Sequence, residues 1–128
     1  MHEVSDMATR IRNALQVNHS EVNIRATKLG KNIATVLRNE GFITDFQENP
    51  SGTYFTITLK YIGKKKQPSL RHFQPISKPS LRVYRSAMEI SDILGGIGIA
   101  ILSTPNGILT HKEAKKQRVG GEVLCYLW

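Results

Sequence analysis

At 128 residues and 40% hydrophobic content, the chain is long enough for one packed domain or two small subdomains. One cysteine excludes an internal disulfide, the four histidines have no metal-ligand spacing, and no apolar run approaches a membrane span. A net charge of +8 points to a polyanionic partner, and both halves share it: residues 1–76 carry 11 basic and 6 acidic groups, residues 77–128 carry 7 and 4.

The N-terminus, with Glu3 and Asp6, has neither a signal peptide nor an Arg/Ser-rich transit peptide, so the protein is expected to be made where it works or to have lost its targeting segment. Val4, Met7, Ala8, Ile11, Ala14 and Leu15 recur at helical spacing and predict a first amphipathic helix. Arg10, Arg12 and Asn13 fall off that stripe, as a solvated face or as phosphate contacts. Glu21 to Arg25 alternates and predicts a short strand. Thr27 is a candidate cap for a second helix over Lys28 to Glu40, with Leu29, Ile33, Val36 and Leu37 inward and Gly41 at its end.

Phe42 to Glu48 and Thr53 to Tyr61 flank Asn49-Pro-Ser-Gly52, a turn signal. Phe55, Ile57, Leu59 and Tyr61 alternate with polar residues, the period of a sheet buried on one face. Lys64 to Lys66 mark a charged hairpin tip, read as solvated, and Leu70 to Ile76 is expected to return as the third strand of a meander. Ser77-Lys-Pro-Ser80 reads as the linker between the halves. Beyond it, Leu81 to Tyr84 alternates, with Arg82 and Tyr84 on one face. Tyr84 is open to two readings, a half-buried strand aromatic or a stacking surface for an unpaired base. Met88 to Leu94 predicts a short helix. Gly95-Gly-Ile-Gly98 lacks dinucleotide-fingerprint spacing and reads as a close turn.

The last third is the most informative stretch. Ile97 to Leu102 predicts a buried strand that stops at Ser103-Thr-Pro-Asn-Gly107, a turn displaying hydroxyls and backbone amides. Ile108 and Leu109 resume the strand. Thr110 sits at an N-cap, with Glu113 completing a capping box for a basic helix over His111 to Arg118. Gly120 and Gly121 stop that helix, and Glu122 to Trp128 closes as a strand in which Cys125 is a buried thiol. A polar hairpin between apolar strands suits a rigid presenter of hydrogen bonds.

Two functional classes follow from these residues. One is binding of RNA in a structural assembly. The other is a small hydrolase or transferase using Ser103, His111 and Glu122, but no carboxylate–histidine motif is present and Ser103 is not in a Gly-x-Ser-x-Gly elbow.

Ser103-Thr-x-x-Gly-Ile108, Thr110-x-x-Glu-Ala114 and Gly120-Gly-Glu-Val-Leu-Cys-Tyr126 resemble the small-subunit ribosomal protein eight family, bacterial and plastid type. Ile76 to Tyr84, Leu94 to Thr104 and Thr9 to Ala14 extend the resemblance over nearly the whole chain. It implies an α+β fold of two subdomains: an N-terminal α/β unit over 1–76, two helices on a three-stranded sheet, and a C-terminal β-rich RNA-binding unit over 77–128 with short helices. It implies a non-enzymatic constituent of the small ribosomal subunit with no cofactor or metal. Its partners would be the central domain of small-subunit ribosomal RNA, whose platform it would help assemble, and neighbouring small-subunit proteins. By the same resemblance, RNA contacts fall on Ser103, Thr104, Gly107, Tyr84 and Glu122, with Thr9, Arg10, Arg12 and Asn13 touching a second RNA helix. Glu122 would accept from a base amino group or orient a turn hydroxyl, or else be solvated at a sheet end. His111, Pro105-Asn106 and Ser80 depart from the family pattern. The Leu-Cys-Tyr-Leu-Trp128 ending resembles cyanobacterial and plastid members, which implies a chloroplast ribosome, with a bacterial cytoplasm as the alternative.

Overall fold

The computed structural model describes residues 2–94 and 98–128. They divide into two compact units, one of residues 6–71 and the other of residues 72–128 with the start of the chain up to Ser5. Helix α1 (His2–Gln16) buries Val4, Met7, Ala8, Ile11 and Ala14, the stripe its spacing predicts. In the 6–71 unit, β1 (Glu21–Arg25) leads to α2 (Lys28–Asn39). The Thr27 hydroxyl caps that helix by accepting from the Gly30 amide at 3.0 Å. Beyond its last turn Gly41 takes φ +81°, a left-handed conformation that glycine adopts at little cost. Strands β2 (Ile43–Glu48) and β3 (Tyr54–Leu59) follow, with Phe55, Ile57 and Leu59 buried.

The three-stranded sheet has the order β1-β3-β2. Its third member is therefore Glu21–Arg25, and not the Leu70 to Ile76 segment that a meander would use. Val22 faces Ile57 and Ile24 faces Phe55, so two alternating stripes meet on one side. Periodicity identifies each strand but carries no information on which strand it pairs with. After β3, the short strands β4 (Tyr61–Ile62) and β5 (Gln67–Pro68) form a separate two-stranded hairpin.

The 72–128 unit contains β6 (Phe73–Pro75), β7 (Tyr84–Arg85), α3 (Ala87–Leu94), β8 (Ile99–Thr104), β9 (Gly107–Thr110), α4 (His111–Gln117) and β10 (Gly121–Leu127). Strand β10 is central: β6 and β7 pair along one edge, β8 along the other, and β9 extends β8. Ala100, Leu102 and Val123 from the sheet pack with Ala87, Ile90 and Ala114 from the helices as one apolar cluster. Phe73 pairs opposite Leu127 and is buried, which ties 73–75 to β10 and moves the division of the chain to 71/72 instead of 76/77.

Residues 77–80 are correspondingly a tight turn within this unit and not a free linker. Ser77 is buried; its Oγ accepts from the Val83 amide at 2.9 Å, while Lys78 and Leu81 bond each other through their backbones. Of the glycine-rich run, Gly98 takes φ +78°, and a Cβ there would stand 2.5 Å from the Leu127 carbonyl oxygen, so close approach requires glycine. The remainder, 95–97, lies outside the described residues.

Candidate nucleic-acid interface

Strand β8 does not stop at Leu102. Ser103 and Thr104 continue it, paired opposite Ile108 and Gly107, which leaves Pro105 and Asn106 alone as the turn. Glu122 of β10 pairs opposite Ser103 on one side and opposite Tyr84 of β7 on the other. Directly opposed residues of antiparallel strands project to the same face. Tyr84, Glu122, Ser103 and Ile108 therefore form one row across four strands, although they are scattered over the second half of the sequence.

Each member of the row has a distinct chemical state. Tyr84 is 64% exposed, so the half-buried reading fails and its ring and hydroxyl face solvent. The Glu122 side chain is only 13% exposed and makes an ion pair with Arg82 Nη1 at 3.0 Å. In that pair the carboxylate positions a guanidinium, an arrangement not among the roles expected for it. Ser103 is half-buried, and among the described residues no hydrogen bond engages its hydroxyl. Thr104 differs, because its Oγ1 donates to the Gly107 carbonyl at 2.8 Å and accepts from the Asn106 amide at 3.1 Å. Its donor is engaged within the hairpin, whereas that of Ser103 is not.

The hairpin is braced from its side. Asn106 Nδ2 donates to Gln117 Oε1 at 2.9 Å, joining the turn to α4. The capping box predicted for that helix is present, with the Glu113 amide donating to Thr110 Oγ1 at 3.2 Å and the Glu113 carboxylate accepting from the Thr110 amide at 3.4 Å. Glu113 is thus occupied at the helix start, while Lys112, Lys115 and Lys116 remain exposed beside the hairpin.

The backbone spacing of the row depends on Gly121. A Cβ at this position would overlap the Ser103 carbonyl oxygen and stand 2.9 Å from the Ser103 carbonyl carbon. The double glycine reads in the sequence only as a helix stop. Its second function, letting β10 approach β8 at the site, appears only when the strands are paired.

On α1, Thr9, Arg10, Arg12 and Asn13 are all exposed. At 100° per residue Thr9 and Asn13 lie centrally, with the two arginines on either flank. Arg10 Nε bonds Asp6 at 3.1 Å, and Arg12 Nε donates to the Ala8 carbonyl at 3.3 Å. Both bonds use one nitrogen of a five-donor fork and leave the terminal amino groups to solvent.

The enzyme alternative finds no support in this geometry. His111 is buried, and its Nδ1 accepts from the Ala100 amide at 3.1 Å. Burial, reinforced by the neighbouring Lys112, lowers its pKa and holds the ring neutral. Cys125 is buried in β10, where desolvation pushes its thiol far up. Among the described residues no group of three His, Cys, Asp or Glu side chains is arranged to hold a metal ion, and no helix is long and apolar enough to cross a membrane.

Fold and site together define a small basic α+β protein that presents hydrogen-bond donors and cations from braced strand ends. The chain belongs to the family described as Ribosomal protein S8, whose profile matches residues 2–128. It is 51% identical over 127 residues to the small ribosomal subunit protein uS8 of Thermosynechococcus vestitus, and equally so to that of Synechocystis sp.. The identity to the uS8 protein of Trichodesmium erythraeum is 50%. Each alignment covers 98% of this chain and 96% of the relative. These relatives are ribosomal proteins and not enzymes.

Proposed function

We propose that the chain is a structural constituent of the small ribosomal subunit, bound directly to the central domain of small-subunit ribosomal RNA and supporting assembly of the platform alongside neighbouring small-subunit proteins. The observation that carries this reading is the cross-strand row: an exposed tyrosine, a carboxylate-held arginine and an unengaged serine hydroxyl on one rigid edge, beside a lysine-bearing helix. Splayed bases in an RNA internal loop offer π-faces to Tyr84, acceptor edges to Ser103 and phosphates to Arg82. Thr104 and Gly107 contribute by shaping the hairpin, and the arginines of α1 suit a second RNA segment. We infer a plastid ribosome from the Leu124–Trp128 ending, which resembles plastid as well as cyanobacterial members; organelle fractionation with an antibody to the chain tests that reading against a bacterial cytoplasm.

Two substitutions of near-constant shape test the site. Ser103→Ala is expected to weaken binding of an internal-loop RNA fragment by about 1–2 kcal/mol, the loss of one partner from a desolvated polar group, with an unchanged melting temperature. Thr104→Val breaks two hairpin bonds and is expected to lower the melting temperature as well as affinity. Unchanged affinity in Ser103→Ala refutes the proposed recognition edge.

A further inference from the structure

The distribution of charge singles out the β4–β5 hairpin. From Asn49 to Met88 the sequence contains no acid and eight lysines and arginines. Elsewhere in the 6–71 unit three cations have ion-pair partners: Arg10 in Asp6, Lys31 in Glu48 and Arg38 in Asp45. Lys64, Lys65 and Lys66 at the hairpin tip are exposed, and among the described residues none has an ion-pair partner.

The tip is not a loose loop. Tyr61 Oη donates to the His19 carbonyl at 2.6 Å, fixing the hairpin base to the segment after α1. The Ser69 amide donates to the Lys60 carbonyl at 3.0 Å, and the Lys66 amide closes the turn onto Gly63 at 3.2 Å. Lys66 holds φ +49°, a conformation that glycine or asparagine adopts more easily, yet the residue present is a third cation. A braced, uncompensated cluster of point charges, with no aromatic ring to stack and no planar fork to read a base edge, matches a phosphate backbone.

We infer that the Gly63–Lys66 tip is a further RNA contact, separate from the β8–β10 edge and from the α1 arginines, gripping the phosphates of a duplex segment without reading its sequence. This rests on the RNA reading above, and the test separates the two. The full-length chain and its Lys64→Gln/Lys65→Gln/Lys66→Gln variant are titrated with a short internal-loop RNA and with a longer central-domain fragment carrying the flanking helices. The expected result is unchanged affinity for the short RNA and about tenfold weaker binding of the long one. The salt slope on the long RNA should fall by about 2, at roughly 0.7–0.9 for each phosphate no longer neutralised. Lys66→Gly supplies an independent check, since relief of the left-handed backbone should hold or raise the melting temperature while the slope falls by about 1. Equal behaviour of variant and parent on both RNAs overturns the inference, and would leave the tip to an acidic protein neighbour or to solvent. Equal loss on both RNAs also overturns it. Failure of the parent chain to bind either RNA overturns the RNA reading itself, and the duplex grip with it.

Discussion

Gly121→Ala adds one methyl group at the tightest point of the proposed recognition edge. The new Cβ would overlap the Ser103 carbonyl oxygen, with the Ser103 carbonyl carbon at 2.9 Å and the Thr104 Cα at 3.2 Å. All three are main-chain atoms, so no side-chain rotation relieves the overlap, and β10 must move away from β8 where Glu122 faces Ser103. Overpacking of this kind costs roughly 1–3 kcal/mol. Weakening a ladder bond adds about 1 kcal/mol. A total of about 2–4 kcal/mol is a large part of the stability of a small domain, and corresponds to a melting temperature lower by about 10 °C. Binding by the folded fraction should fall too, because the same shift misaligns Tyr84, Glu122 and Ser103. Thermal melting by circular dichroism and RNA titration of the same samples measure both effects. A variant that melts within about 2 °C of the parent (about 0.5 kcal/mol) and binds equally refutes the idea that this glycine sets the spacing of the site.

Protonation of His111 supplies a pH dependence. Its folded pKa is lowered by burial, so the unfolded chain binds the proton more readily, and the stability held by the neutral ring is present above about pH 6.5 and lost as pH falls below it. His111→Gln, which keeps an acceptor for the Ala100 amide without titrating, should flatten the decline in melting temperature as the solution is acidified from neutrality. On α1, Arg12→Ala should weaken RNA binding across sequences and lower the salt slope by about 1, as expected for one phosphate contact. An isolated fragment beginning at His72 should melt higher than one beginning at Ser77, because the shorter piece loses β6 and the buried Phe73 ring; equal melting of the two would contradict the 71/72 division.

Local spacing was enough to place the helices and the buried strand cores, though not every strand end, since Ser103 and Thr104 carry β8 past its expected stop. The α1 stripe, the Thr27 and Thr110 caps and the alternation of β3 are set by interactions within a few residues, and local spacing records such interactions directly. The polyanionic class of partner was legible for a similar reason, since net charge needs no fold. Strand partners emerge only once the chain is folded. Leu70 to Ile76 satisfies the same local pattern whether it joins the first sheet or the second, and the burial of Phe73 beside β10 selects the second. Thr104 and Ser103 are adjacent hydroxyls in the sequence, but the Gly107 carbonyl engages only Thr104 as a donor. Glu122 and Arg82 lie 40 positions apart, and their ion pair exists because β10 brings them together. Local sequence encodes what a residue does to its own turn or strand; which distant group it meets follows from how strands exclude water together, and the proposed recognition edge is made of such meetings.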